Sequence, residues 1–205
     1  MSVITDITPQ KRKPNIFNIY IDNRFSFSLS DLDLSLFHLS VGQSLTTGEQ
    51  NKLINQSQFS KAYNKALNYI SYRMRSEWEV ESYLTRNEFN KNVVQKVIQK
   101  LKNNQTINDL DFATRWINDR TILKSKSKRA LKAELIKKHI DSKILDEVLS
   151  EINEEVELEN LIKLIAKKQK IARYKNEKKL LTYLQRQGFS YRQIKLALEL
   201  SASQH

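Results

Sequence analysis

An internal repeat constrains this chain more than any other feature of its sequence. From Ala62 onward one apolar pattern returns three times, at offsets of 51 and then 49 residues. Ala62, Ala113 and Ile162 coincide, as do Ala66, Ile117 and Ala166, then Val80, Leu131 and Leu180, then Leu84, Leu135 and Leu184. The register continues through Phe89, Ile140 and Phe189, then Val94, Leu145 and Ile194, and ends at Ile98, Leu149 and Leu198. Within each copy the spacing is helical, with side chains three and four apart on one face. A unit this small has too little apolar face to fold alone, so neighbouring units should stack into an elongated, curved array.

Polar residues punctuate each copy. Asn90, Asp141 and Ser190 follow directly on the Phe or Ile position and can each accept a hydrogen bond from an orphan helix N–H, which opens a third helix. Ser76 with Glu79 has capping-box spacing, and Ser127 stands at the same place 51 residues on. The first copy therefore holds helices over 57–72, 76–87 and 90–102. Asp109 reads as the cap ahead of Phe112. Average usage would give roughly 14 Gly and 10 Pro. The chain has 3 and 2, with no Pro after Pro14, so little interrupts the helices.

Before the repeats the period changes to two. Phe17, Ile19 and Ile21 alternate on one side of Asp22-Asn23, and Phe25, Phe27 and Leu29 on the other, which predicts a β-hairpin. Asp31 opens a short apolar stretch to Leu39, and Thr47 with Gln50 has capping-box spacing for a helix to about Phe59. Residues 1–60 hold five basic and five acidic side chains, so the whole charge of +12 sits downstream and a boundary falls near Ser60. The expected organisation is a flexible N-terminus over 1–14, a β-hairpin with short helices over 15–58, and three-helix repeats over 59–105, 106–154 and 155–205. The fold class is mainly α.

The same composition removes much chemistry. Gly42 and Gly48 are the only neighbouring glycines and no phosphate-binding motif follows them. There is no cysteine, and His38, His139 and His205 lie too far apart for a local ligand motif. Asp109 and Asp111, two apart on a helix, point different ways. No catalytic constellation, metal or cofactor is expected, and the chain does not read as an enzyme. No apolar run approaches the ~18 residues of a membrane span, and Met1 to Gln10 lacks the apolar core of a signal peptide. The expectation is a cytoplasmic monomer.

Two segments could bind. Between Arg120 and Lys138 eight basic residues face the single Glu134, and Lys124, Lys126, Lys128, Arg129 and Lys132 gather at the start of the second copy's middle helix. Cations are unfavourable at a helix N-terminus, which favours an anionic partner there over a merely solvated face. A second basic segment holds Lys163, Lys167, Lys170, Arg173, Lys175, Lys178 and Lys179, with Tyr174 continuing its face and Leu158, Leu161, Ile162, Ile165 and Ala172 as its buried stripe. It follows an acidic run from Asp146 to Glu159, so pairing between the runs competes with binding. Arg73 and Arg75 read as helix-end residues, Arg73 or Arg75 pairing with Glu79. Trp116 reads as core, and Trp78 as either core or contact.

The stretch Ala62-x3-Ala66-Leu67-x2-Ile70-Ser71-Tyr72-Arg73-x-Arg75-Ser76-Glu77-x-Glu79-Val80-x2-Tyr83-Leu84, with Asn108-Asp109-x2-Phe112-Ala113 and Gln187-Gly188-Phe189, resembles the RecX family of recombination regulators. The likeness runs from about Asn15 to Leu200. The family often has Gly where this chain has Asn87 and His139; Asn accommodates the left-handed conformation such a helix end needs. The resemblance implies a non-enzymatic protein that binds the RecA recombinase, lies along the groove of its filament on single-stranded DNA, and restrains recombination and the SOS response. Composition alone equally fits a helical protein that binds single- or double-stranded DNA directly through its phosphates, or a scaffold stacked on an acidic protein.

Overall fold

The computed structural model describes residues 1–124 and 126–202, with the side chains of 122–124 and 202 outside the description. It divides into two units, Met1–Met74 with Glu79–Thr106, and Arg75–Trp78 with the chain from Ile107 onward.

The first unit opens with an antiparallel sheet in the order β3-β2-β1-β4, formed by β1 (Ser2–Gln10), β2 (Lys13–Ile21), β3 (Arg24–Ser30) and β4 (Ser44–Leu45). The hairpin is β2–β3, with Ile19 opposite Phe27 and Phe17 opposite Leu29. Asp22 and Asn23 both take positive φ, 50° and 63°, the mirror-image turn whose twist matches the flanking strands. Phe25 departs from its expected inward face. A register shift between Ile19 and Tyr20 leaves it 55% exposed, edge-on to Tyr20, because one extra residue on a strand turns what precedes it to the other side.

Residues 1–14 are not a flexible terminus. β1 is an inner strand of the sheet, and Ile4 is fully buried. A bulge between Ile4 and Asp6 sets Ile4 and Ile7 three apart instead of two, which hides the alternation by which a strand is recognised.

After the short α1 (Asp31–Leu36), α2 runs unbroken from Thr47 to Ser71. Its capping box is Thr46 with Glu49, one residue earlier than expected, and both hydrogen bonds to Thr46 hold the Glu49 carboxyl below its ordinary pKa. The boundary between 58 and 59 therefore falls inside a helix. Leu53 joins the sheet's core and the Ser57 hydroxyl donates to the Ser28 carbonyl, while Ala62 and Ala66 are buried further along. α3 (Glu77–Arg86) and α4 (Lys91–Asn103, capped by Asn90) complete the first triad. Glu79, buried, receives both guanidinium nitrogens of Arg73 at 2.8 and 3.3 Å.

The second unit contains α5 (Asp109–Lys124), α6 (Lys128–Ile136) and α7 (Ser142–Ser150), then α8 (Glu154–Gln169), a 3-10 turn over Ala172–Tyr174, α9 (Glu177–Arg186) and α10 (Tyr191–Ala202). Asp141 caps α7. Ser190 and Gln193 form a capping box at the start of α10. Asn108, not Asp109, accepts the N–H groups of Leu110 and Asp111.

Burial follows the repeat closely, with one shift. Val80, Leu131, Leu180, Leu84, Leu135 and Leu184 are all at or below 2% exposure, yet Ala166 is exposed and Leu161 and Ile165 are buried. The first helix of the third copy aligns with the second at 48 residues, one fewer than its other helices. Ala172, assigned to the buried stripe, is exposed because it lies in the 3-10 turn beyond α8.

The corrected register shows one joint built twice within the second unit. The Asp109 carboxylate accepts the Glu77 N–H at 2.7 Å, and Glu157, 48 residues on, accepts the Lys128 N–H at 2.6 Å. Beside these bonds sit Ser76 and Ser127, exposed by 0% and 1%. The Ser76 hydroxyl donates to the Lys138 carbonyl, and the Ser127 N–H donates to that of Gln187. The next residue in each turn is left-handed: His139 at φ 56° and Gly188 at φ 98°. In the first triad the same position is Glu88, at φ 64°, and not Asn87. His139 fits through its ring, which stacks on Trp78 at 4.2 Å; Trp78 is thus a half-exposed joint residue.

Candidate partner and nucleic-acid interface

The basic residues gathered at the start of α6 are mostly engaged within the chain. Lys128 donates its backbone N–H to Glu157 and its ammonium to the Ile152 carbonyl at 3.0 Å, where it closes the end of α7. Lys126 pairs with Glu134 at 3.6 Å, both half-buried. Lys132 pairs with Asp146 at 3.7 Å in the open, a contact worth at most about 1 kcal/mol and readily exchanged. Arg129 is exposed. The side chain of Lys124 lies outside the described residues.

Glu134 is the centre of a cluster that sequence reasoning did not assemble. It accepts the Trp116 indole N–H at 2.9 Å and the Arg120 Nε–H at 3.1 Å. Arg120 and Lys138 lie over the Trp116 ring at 4.2 and 5.2 Å. Trp116 also packs against the core of the second triad, as expected. Glu134 was visible only as the lone acid in a basic run; that it gathers a guanidinium 14 residues away and an indole N–H 18 residues away follows from the packing of α5 on α6.

The second segment is freer. Lys163 forms an i,i+4 pair with Glu159 at 3.5 Å, whereas Lys167, Lys170, Lys175, Lys178 and Lys179 are exposed and form no ion pair among the described residues. Arg173 is exposed and lies 5.8 Å from the Tyr174 ring. Lys168, which the sequence did not single out, stands 5.5 and 4.6 Å from the rings of Tyr174 and Tyr183, themselves 5.1 Å apart. This surface combines unneutralised cations with aromatic faces, the pairing suited to a phosphate backbone with stackable bases or to an acidic protein.

Three family models match the chain: the regulatory protein RecX N-terminal domain over residues 2–46, the RecX first three-helix domain over 62–101, and the second over 108–149. A protein of Bacillus pumilus described as "Regulatory protein RecX" is 33% identical over 97% of this chain and 77% of its own length. This chain belongs to the RecX family. A relative of the same description from Listeria monocytogenes (strain HCC23) is 30% identical over 98% of this chain and 76% of its own. A crystal structure of a regulatory protein RecX matches 97% of this chain and all of its own with a TM-score of 0.73 at 27% identity. That of RecX from Lactobacillus salivarius covers 71% of this chain and 97% of its own at 0.61 and 28%. The resemblance read from the sequence is thereby confirmed, and so is the class: mainly helical, with three-helix repeats after a strand region. No helix among the described residues is long and apolar enough to cross a membrane.

Proposed function

We propose that this chain is a non-catalytic regulator of the RecA recombinase: a cytoplasmic monomer that binds the recombinase filament on single-stranded DNA, restrains strand exchange, and so modulates recombination, repair and the SOS response. What carries the reading is the match of three RecX domain models along one chain, with relatives described as regulatory proteins. Its mechanism is occlusion, with no cofactor or metal required. A helical surface occupies the filament's groove and hinders entry of a duplex. The cations that meet the filament are Lys167, Lys170, Arg173, Lys175, Lys178 and Lys179, joined by Arg129 and Lys132 and flanked by Lys124 and Lys163. Lys126 and Lys128 contribute mainly by holding α6 in place. The weight moves to the third triad because, Lys163 apart, the cations named from it have no ion-pair partner among the described residues, whereas Lys126 and Lys132 do.

The two tyrosine rings beside Lys168, tilted against each other, favour a second reading, direct binding of nucleic acid by the same surface. Strand exchange assayed with and without excess naked single strand separates the two. A filament regulator inhibits at substoichiometric ratios to DNA, whereas a simple DNA binder inhibits only as it covers the strand. Inhibition that tracks strand coverage, and disappears when the strand is in excess, rules out the first reading.

A further inference from the structure

A different surface, in the first unit, carries a site of its own. Between the sheet and α2 lies a groove of about 730 Å³ lined by residues of β1–β3, α1, α2 and α4. Four lysines reach it: Lys13 from β2, Lys61 and Lys65 from α2, and Lys100 from α4. Among the described residues none of the four forms an ion pair, in contrast to Lys126, Lys132 and Lys163 of the second unit. The one carboxylate among the described lining residues, Asp33, is 8% exposed and occupied by Ser30, Gln56 and Ser60, at 2.8, 2.9 and 3.2 Å. Converging like charges are mutually repulsive, so an unneutralised set at one concavity is best relieved by an anion.

The rest of the lining specifies which anion. Phe59 and Tyr63, one turn apart on α2, stack at 5.9 Å and 12°, with the Lys100 ammonium 5.4 and 5.0 Å from their centroids. Asn64 and Asn68, also one turn apart, are exposed along the groove, and a carboxamide can meet a base edge with donor and acceptor together. Gln10 and Ser28, also in the lining, bond each other and Asn18. Cations for phosphates, aromatic faces for bases and amides for base edges are the composition of a single-strand site, and the aromatic pair has no counterpart in what an acidic peptide requires.

We propose that this groove binds single-stranded nucleic acid, with Lys13, Lys61, Lys65 and Lys100 on the phosphates and Phe59 and Tyr63 beside the bases. The proposal is independent of the recombinase reading, since its probe is naked oligonucleotide and its residues lie in the other unit. The test is fluorescence anisotropy of a labelled oligothymidylate of about 15 nucleotides, titrated with the full chain over a range of salt. The triple variant K61E/K65E/K100E should bind at least about tenfold more weakly, and its slope of log affinity against log salt should be shallower by about 2, at roughly 0.7 for each lost phosphate contact. Tyr63→Leu should weaken binding severalfold without changing that slope. Circular dichroism verifies folding, and K61Q/K65Q/K100Q replaces the triple reversal if it fails to fold. Absence of binding by the parent chain, or parental affinity and slope in the folded triple variant, overturns the proposal. So does displacement of the oligonucleotide by polyglutamate together with parental binding by Tyr63→Leu, which assigns the groove to acidic protein segments.

Discussion

Replacing Gly188 by Ala tests the joint between the second and third triads. A Cβ there would meet the Ser127 hydroxyl and approach the Ala130 Cβ to 2.6 Å, on a backbone at φ 98°. Neither neighbour can give way. Ser127 is 1% exposed and its hydroxyl accepts the Ala130 N–H at 3.1 Å, while its own N–H is bound to Gln187. Left-handed strain costs about 1–2 kcal/mol for a residue with a Cβ, and overfilling a packed contact about 1–3 kcal/mol. The expected loss is about 2–5 kcal/mol, or roughly 5–15 °C in Tm for a chain of this length. The equivalent positions provide the comparison. Glu88→Gly, exposed and at φ 64°, should stabilise by about 0.5–1 kcal/mol through relief of the same strain. His139→Gly should come out near neutral, because that relief is offset by the lost stack on Trp78, worth about 0.5–1.5 kcal/mol. Urea unfolding followed by circular dichroism measures all three. A Gly188→Ala variant within about 0.5 kcal/mol of the parent would refute the close-approach reasoning.

Other consequences can be checked together. Glu157→Ala strands the Lys128 N–H and releases the Gln193 amide; a loss of about 1–3 kcal/mol is expected, and no loss in urea unfolding argues against the repeated joint. Glu49 ionises more readily in the folded chain than in the unfolded one, so its stabilisation is present above its unfolded pKa and lost as pH falls through the lower folded value. Glu49→Gln should therefore unfold at lower denaturant than the parent at neutral pH, with the gap closing in acid; a pH-independent gap contradicts it. Reversing Lys126 and Lys128 to Glu should cost stability by opposing Glu134 and Glu157, whereas reversing Lys175, Lys178 and Lys179 should leave the melting curve nearly unchanged; equal melting of the two variants refutes this division.

The helical triads were legible because burial enforces the apolar register: Leu84, Leu135 and Leu184 are each fully buried. The caps Asn90 and Asp141 were legible for the same reason, since an orphan N–H at a helix start needs a nearby side-chain acceptor. What the sequence hid was non-local. β1 was masked by a bulge, and the continuity of α2 by a change in charge at Ser60 that coincides with no break in the backbone. The one-residue slip of α8 became visible only when Glu157 was seen to occupy the role of Asp109. The basic segments were found by counting, but counting does not separate cations bound within the chain, such as Lys128, from free ones, such as Lys178. The cluster on Glu134 and the lysine-lined groove of the first unit draw on residues far apart in sequence, and no local pattern announces either.

The proposed regulatory role is tested most directly by co-sedimentation with recombinase filaments assembled on single-stranded DNA, beside the same DNA without recombinase. The parent chain should pellet with filaments at protein concentrations too low for retention by naked strand. The variant with Lys167, Lys170, Arg173, Lys175, Lys178 and Lys179 changed to Glu should remain folded, lose filament binding by orders of magnitude, and show a flatter dependence on salt. Equal retention of the parent chain on filament and naked strand, or undiminished filament binding by the folded variant, would contradict the account.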